Sequence, residues 1–166
     1  MIVLGVVGLG ATGGIVSYKA EQGIVSVEKS WDSFKKGPSI KEALVGKIRG
    51  YLGYNGMIHR YKDYVIRQDV ADLKKFKTST RRAMYAVSAY RRLDISAKET
   101  AALKTIETTI ATYRTSIAQV TKLIAERKTA TEIDSLVKPD DGPTLSAMRT
   151  LDRELITARK SVGEVV

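Results

Sequence analysis

The chain contains no cysteine, and its 166 residues include a single histidine, His59. Without cysteine there can be no disulfide framework, thiolate metal site or thiol nucleophile, and the redox state of the compartment leaves no mark on the composition. One imidazole cannot build a multi-histidine metal centre, and a Ser-His-Asp triad would have to use His59. Most catalytic templates are therefore excluded or thin, and the chain reads as a non-enzyme with no catalytic residue and no required cofactor. Its size fits one ordinary domain with a real core.

Charge is abundant and unbalanced. Lys and Arg number 28 against 18 Asp and Glu, a net charge of +10, which suits acidic small ligands, an anionic membrane surface or nucleic acid. The cations are spread from Lys19 to Lys160 and mixed with acids, with only short doublets such as Lys74-Lys75, Arg81-Arg82 and Arg91-Arg92. No compact basic block singles out nucleic acid, and helical charge is ordinarily a solvated face.

From Met1 to Tyr18 no residue is charged, and a stretch of this length reaches the lower limit for a helix crossing a bilayer core of about 30 Å. Five glycines, Gly5, Gly8, Gly10, Gly13 and Gly14, suit close packing between membrane helices better than an isolated soluble helix. A cleavable signal peptide fits less well, because no basic segment precedes the stretch and no small-x-small site follows it. The same residues also read as a strand, Ile2 to Val7, followed by Gly8-x-Gly10-x-x-Gly13, the glycine fingerprint of dinucleotide-binding folds. That reading needs further βαβ units, and only Ile24 to Val27 before Glu28 offers a second strand.

Beyond the Gly37-Pro38 break the pattern is helical. Leu44, Ile48, Tyr51, Ile58 and Val65 recur at alternating spacings of three and four, with Asn55 and Lys62 filling the missing places, and predict one long helix from Ser39 to Asp69. Leu73, Phe76, Thr80, Ala83, Val87 and Tyr90 predict a second helix ending near Leu93-Asp94. Ser96-Ala97-Lys98-Glu99 forms a capping box, opening a third helix with the stripe Leu103, Ile106, Ile110, Tyr113, Ile117, Val120 and Ile124. It gives way around Lys128 to Thr131. Residues 138–143, Lys-Pro-Asp-Asp-Gly-Pro, read as a loop before a last helix carrying Leu145, Met148, Leu151, Leu155, Ala158 and Val162. The expected fold class is all-α, an up-down antiparallel four-helix bundle preceded by an apolar transmembrane helix: residues 1–18 the span, 19–162 the bundle, 163–166 a stub towards a second span. Tyr51, Tyr85, Tyr90 and Tyr113 are expected in its core.

Residues 48–67, Ile-Arg-Gly-Tyr-Leu-Gly-Tyr-Asn-Gly-Met-Ile-His-Arg-Tyr-Lys-Asp-Tyr-Val-Ile-Arg, resemble a segment of the N-terminal sensor regions of bacterial methyl-accepting chemotaxis proteins, regions that also front diguanylate cyclases and histidine kinases. Residues 132–145, from Glu132 to Leu145, are similar to the loop before the last sensor helix of that group. The resemblance implies a periplasmic bundle anchored in the bacterial inner membrane, dimeric, whose small ligand shifts helices against one another, with a second span and an output domain following the bundle.

The stripe of the first long helix independently points to its polar members. Asn55 and Lys62 occupy stripe positions and His59 lies one turn from each, and polar groups on a buried face need partners. In one reading Asn55 sets register, Lys62 extends its stem outward and His59 bonds a neighbouring helix. In the other, Arg49, His59, Lys62 and Arg67 offer cationic or donor groups to an anionic ligand such as a carboxylate, with Tyr54 and Asn55 adding neutral hydrogen bonds. A sharper variant has His59 ligating haem or a metal, with Asp63, Asp134, Asp140 or Asp141 as partners. For Asp140-Asp141, turn chemistry before a helix start is the cheaper explanation.

Overall fold

The computed structural model describes residues 39–163. The apolar stretch at 1–18, the glycine fingerprint at 8–13, the candidate second strand at 24–27, and residues 164–166 lie outside them. All regular structure among the described residues is α-helical, with no strand. None of the described helices is long and apolar enough to cross a membrane.

Helix α1 covers residues 39–52, α2 Met57–Arg67, α3 Val70–Arg91, α4 Ala97–Ala125, α5 Ala130–Leu136 and α6 Gly142–Gly163. The expected single helix over 39–69 is thus two. Gly53-Tyr54-Asn55-Gly56 interrupts it, with Asn55 in the left-handed region at φ 60°. At Gly56 any side chain is excluded, since a Cβ would stand 2.5 Å from the Tyr51 carbonyl oxygen and 2.6 Å from that of Gly50. The apolar stripe survives the break because Leu52 and Met57, buried on either side of it, take over the packing. Gln68, also left-handed at φ 54°, closes α2 through the hydrogen bond that its backbone amide donates to the Tyr64 carbonyl.

Helix α3 starts on the Asp69 side chain, which accepts from the Ala71 amide at 2.8 Å. It buries Phe76, Thr80, Ala83, Val87 and Tyr90, as the stripe predicts. Tyr85, expected in the core, is 75% exposed, because it stands midway between Ala83 and Val87 and therefore across the helix from them. The Ser96–Glu99 capping box is present at the start of α4, and its stripe is buried from Leu103 through Val120. The β-branched threonines of α4 are accommodated by local bonds: Thr105, Thr108, Thr109, Thr112 and Thr115 each donate to the carbonyl four residues back. Helix α6 buries Ala147, Met148, Leu151 and Leu155, but Leu145 of the expected stripe is 58% exposed.

Side-chain bonds between helices fix their directions. Lys41 in α1 pairs with Glu99 in the first turn of α4, and beyond the α1–α2 break Tyr64 donates to Thr121 (3.3 Å) and Gln68 to the Lys128 carbonyl (3.0 Å). The α1–α2 pair therefore runs alongside α4 in the same sense. Arg49 with Asp152, and Glu42 with Arg159, join α1 to α6 in the opposite sense. The shared core includes Ile48, Leu103, Ile106, Ile110, Val87 and Leu151, all fully buried, each contributing roughly 1.5–3 kcal/mol.

Candidate functional site

The turn at 53–56 disperses the six residues to which the sequence points. Arg49 donates to both carboxylate oxygens of Asp152, at 2.7 and 2.8 Å, on the α1–α6 face. Tyr54 sits at the tip of the turn, 87% exposed, its ring 5.0 Å from that of His59. Asn55 is not on a buried face. It is exposed at the turn, where its side-chain oxygen accepts from Arg60. His59, Arg60 and Arg67 all turn to Asp63, at 3.4, 3.1 and 3.5 Å. Arg67 also approaches the buried Asp72 at 3.8 Å, which Lys75 reaches at 3.2 Å. The Arg60, Arg67 and Lys75 cations neutralise two buried carboxylates that would otherwise be costly. His59 thus has a structural partner in Asp63, and no group of three or more metal-ligating side chains occurs among the described residues.

Of the six, Lys62 borders the cleft between α2 and α5. It is exposed on the outer side of α2, contrary to a buried stripe position, and stands at the rim of this cleft of about 480 Å³. Tyr61 and Tyr113 line it, packed edge to face with ring centres 5.0 Å apart, and Val65 and Val137 add apolar surface. The rim carries Lys62 and Lys138 together with Asp134 and Asp141. The Tyr61 hydroxyl donates to the Val137 carbonyl at 3.2 Å. Burial pushes Tyr61 up to about 12, a rise that the Ser116 hydroxyl tempers and the Asp134 carboxylate reinforces. Tyr113 is raised as well, by burial first and then by Asp141. Both phenols are therefore neutral around pH 7.

Helix α5, where the sequence pattern predicts only the end of the third long helix, positions the far wall. Thr129 and Glu132 form a second capping box, with the Thr129 hydroxyl and amide each 2.8 Å from Glu132 Oε2. These bonds hold the Glu132 carboxyl below its usual range. Ile133, fully buried, pins α5 to the core, and Asp134 on the next position faces the cleft. Asp140 accepts from the Gly142 amide at 2.9 Å, the turn chemistry expected of it, whereas Asp141 lines the cleft. The Thr-x-x-Glu spacing at 129–132 is the signal by which α5, and with it Asp134, could have been found.

No family model matches the chain, and no curated protein or solved structure matches it.

Proposed function

We propose that the chain is the ligand-sensing input region of a bacterial signal-transduction receptor of the chemoreceptor kind, an up-down four-helix bundle in which α1 and α2 act as one broken helix. Its ligand occupies the α2–α5 cleft. The observation that carries this reading is the rim of two lysines and two aspartates above a neutral aromatic floor. A few convergent polar groups over apolar surface, in a volume of this size, are what small-molecule sites offer. Lys62 and Lys138 suit a carboxylate, and Asp134 and Asp141 an ammonium, so the ligand class favoured is a small molecule bearing both. In this reading residues 1–18 anchor the bundle to the inner membrane, the bundle stands in the periplasm, and two copies pair.

In this reading the cleft is coupled to α1 through the elements that connect them. The wall formed by α5 and residues 137–141 joins α4 to α6, so a ligand that draws it towards Lys62 moves the start of α6. From its middle towards its far end α6 is tied to α1 through Arg49–Asp152 and Glu42–Arg159. Helix shifts of about 1–2 Å are the usual stroke of such switches. The test is a calorimetric titration of the full chain with amino acids and dicarboxylic acids. Saturable heat that Lys62→Gln and Asp134→Asn each diminish supports the reading, and its absence across the screen, or its persistence in both variants, rejects it.

A further inference from the structure

We propose that a second cavity, the groove between α3 and α4, binds an amphipathic organic anion, one acidic group on an apolar tail. This groove, of about 770 Å³, is floored by Phe76, Met84 and Ile117 and edged by Lys77, Arg81 and Arg114. Unlike the α2–α5 cleft, it has no carboxylate among the described residues that line it. The acids of the two helices are three, Asp72, Glu99 and Glu107, and each is engaged elsewhere: Asp72 with Lys75 at 3.2 Å, Glu99 with Lys41 at 2.9 Å and Glu107 with Arg91 at 2.8 Å. Among the described residues none of the three groove cations has an acidic side chain within ion-pairing distance.

Lys77 and Arg81 are one turn apart on α3 and share a face, and Arg114 meets them from α4 across the groove. Three like charges converging on one apolar slot repel one another, and an anion between them relieves that repulsion. Thr80, buried between them, already spends its hydroxyl on the Phe76 carbonyl at 2.8 Å, so the floor asks for apolar contact and not for hydrogen bonds. From Phe76 to Met84 the floor runs about 12 Å along the helix, room for a medium-length alkyl chain or an aromatic ring system. A zwitterion would leave its ammonium facing guanidinium groups. Nucleic acid would meet the cations but leave the apolar floor unused.

This site is independent of the one under Proposed function and is tested apart from it. The full chain is titrated calorimetrically with decanoate, with acetate supplying the charge alone and decanol the tail alone, and the series is repeated in Arg81→Gln/Arg114→Gln and in Lys62→Gln. Both arginines are exposed, so the double variant is expected to unfold at the same temperature as the parent, which a melting curve checks. The expected result is decanoate binding roughly tenfold or more tighter than either control, weakened at least about tenfold in the double variant and unchanged in Lys62→Gln. Equal binding by the double variant, equal binding of acetate or decanol, or loss in Lys62→Gln overturns the proposal. Binding of duplex DNA or of phosphatidylglycerol vesicles that the double variant loses, with no response to decanoate, overturns it in favour of a macromolecular surface.

Discussion

The Tyr90 hydroxyl donates to Glu99 Oε1 at 2.6 Å, joining the last turn of α3 to the first turn of α4 across the connection between them. The same carboxylate accepts from the Ser96 amide at 2.6 Å and from the Lys41 ammonium at 2.9 and 3.0 Å. Three elements therefore meet on one side chain that is 3% exposed. The helix cap visible in the sequence is also the clasp of this end of the bundle.

Burial works to raise the Glu99 pKa, but the bonds from Tyr90, Ser96 and Lys41 outweigh it and the net shift is downward. A carboxyl depressed in the folded state contributes stability above its unfolded value, here 4.5, and that contribution is lost as the pH falls through the lower folded value. Glu99→Gln is expected to cost roughly 2–3 kcal/mol at pH 7. It should also flatten the acid limb of a plot of urea midpoint against pH. A variant with unchanged midpoint at pH 7 and an unchanged acid limb would remove Glu99 from this role.

Tyr61 gives the opposite limb. Its folded value of about 12 stands above the ordinary 10.0, so the neutral phenol is favoured in the fold. Its contribution is complete below pH 10 and declines as the pH rises from 10 towards 12. Tyr61→Phe is expected to lose roughly 1 kcal/mol at neutral pH, from the bond to the Val137 carbonyl. Its alkaline decline should be shallower than the parent's, as read by unfolding curves between pH 9 and about 11.

Glycines in and before the α1–α2 turn should respond with opposite signs. A methyl group on Gly46 or Gly50 would meet nothing within 4 Å, and Gly46→Ala in the exposed face of α1 should raise stability by about 0.5–1 kcal/mol. Gly56→Ala drives a methyl into two carbonyl oxygens and should cost roughly 1–3 kcal/mol, occasionally more. Chemical denaturation of the two variants side by side checks both signs.

How much of the fold is legible in the sequence follows from how local each feature is. The α4 stripe from Leu103 to Val120 is readable because a long uninterrupted amphipathic helix buries one face throughout, and the Ser96–Glu99 cap because both partners lie within one turn. The α1–α2 break is not. Asn55 falls into the spacing of an apolar stripe, and only Gly53 and Gly56, three apart, hint that the backbone has to turn there. The same spacing assigns Lys62 a buried position that it does not hold. Lys62 nevertheless borders the cleft, because the wall opposite it is built by α5, an element of seven residues too short to show a period. Asp134 rides on that short helix, whose one mark in the sequence is the Thr129–Glu132 cap, while Lys138 and Asp141 reach the cleft through tertiary placement, which no spacing in the sequence encodes.

Location of the ligand is the point on which the functional reading stands, and Lys62 and His59 separate its two candidate places. Both lie on α2, three residues apart, but Lys62 borders the cleft and His59 faces Asp63. The decisive measurement is thermal unfolding of the full chain, Lys62→Ala and His59→Ala, each with and without the tightest ligand from the calorimetric screen. At about 100 times its Kd such a ligand stabilises the parent by roughly 2.7 kcal/mol. The expected result is a rise in melting temperature that His59→Ala retains and Lys62→Ala loses. A rise that survives in Lys62→Ala, or that only His59→Ala abolishes, would contradict the assignment of the α2–α5 cleft as the sensing site.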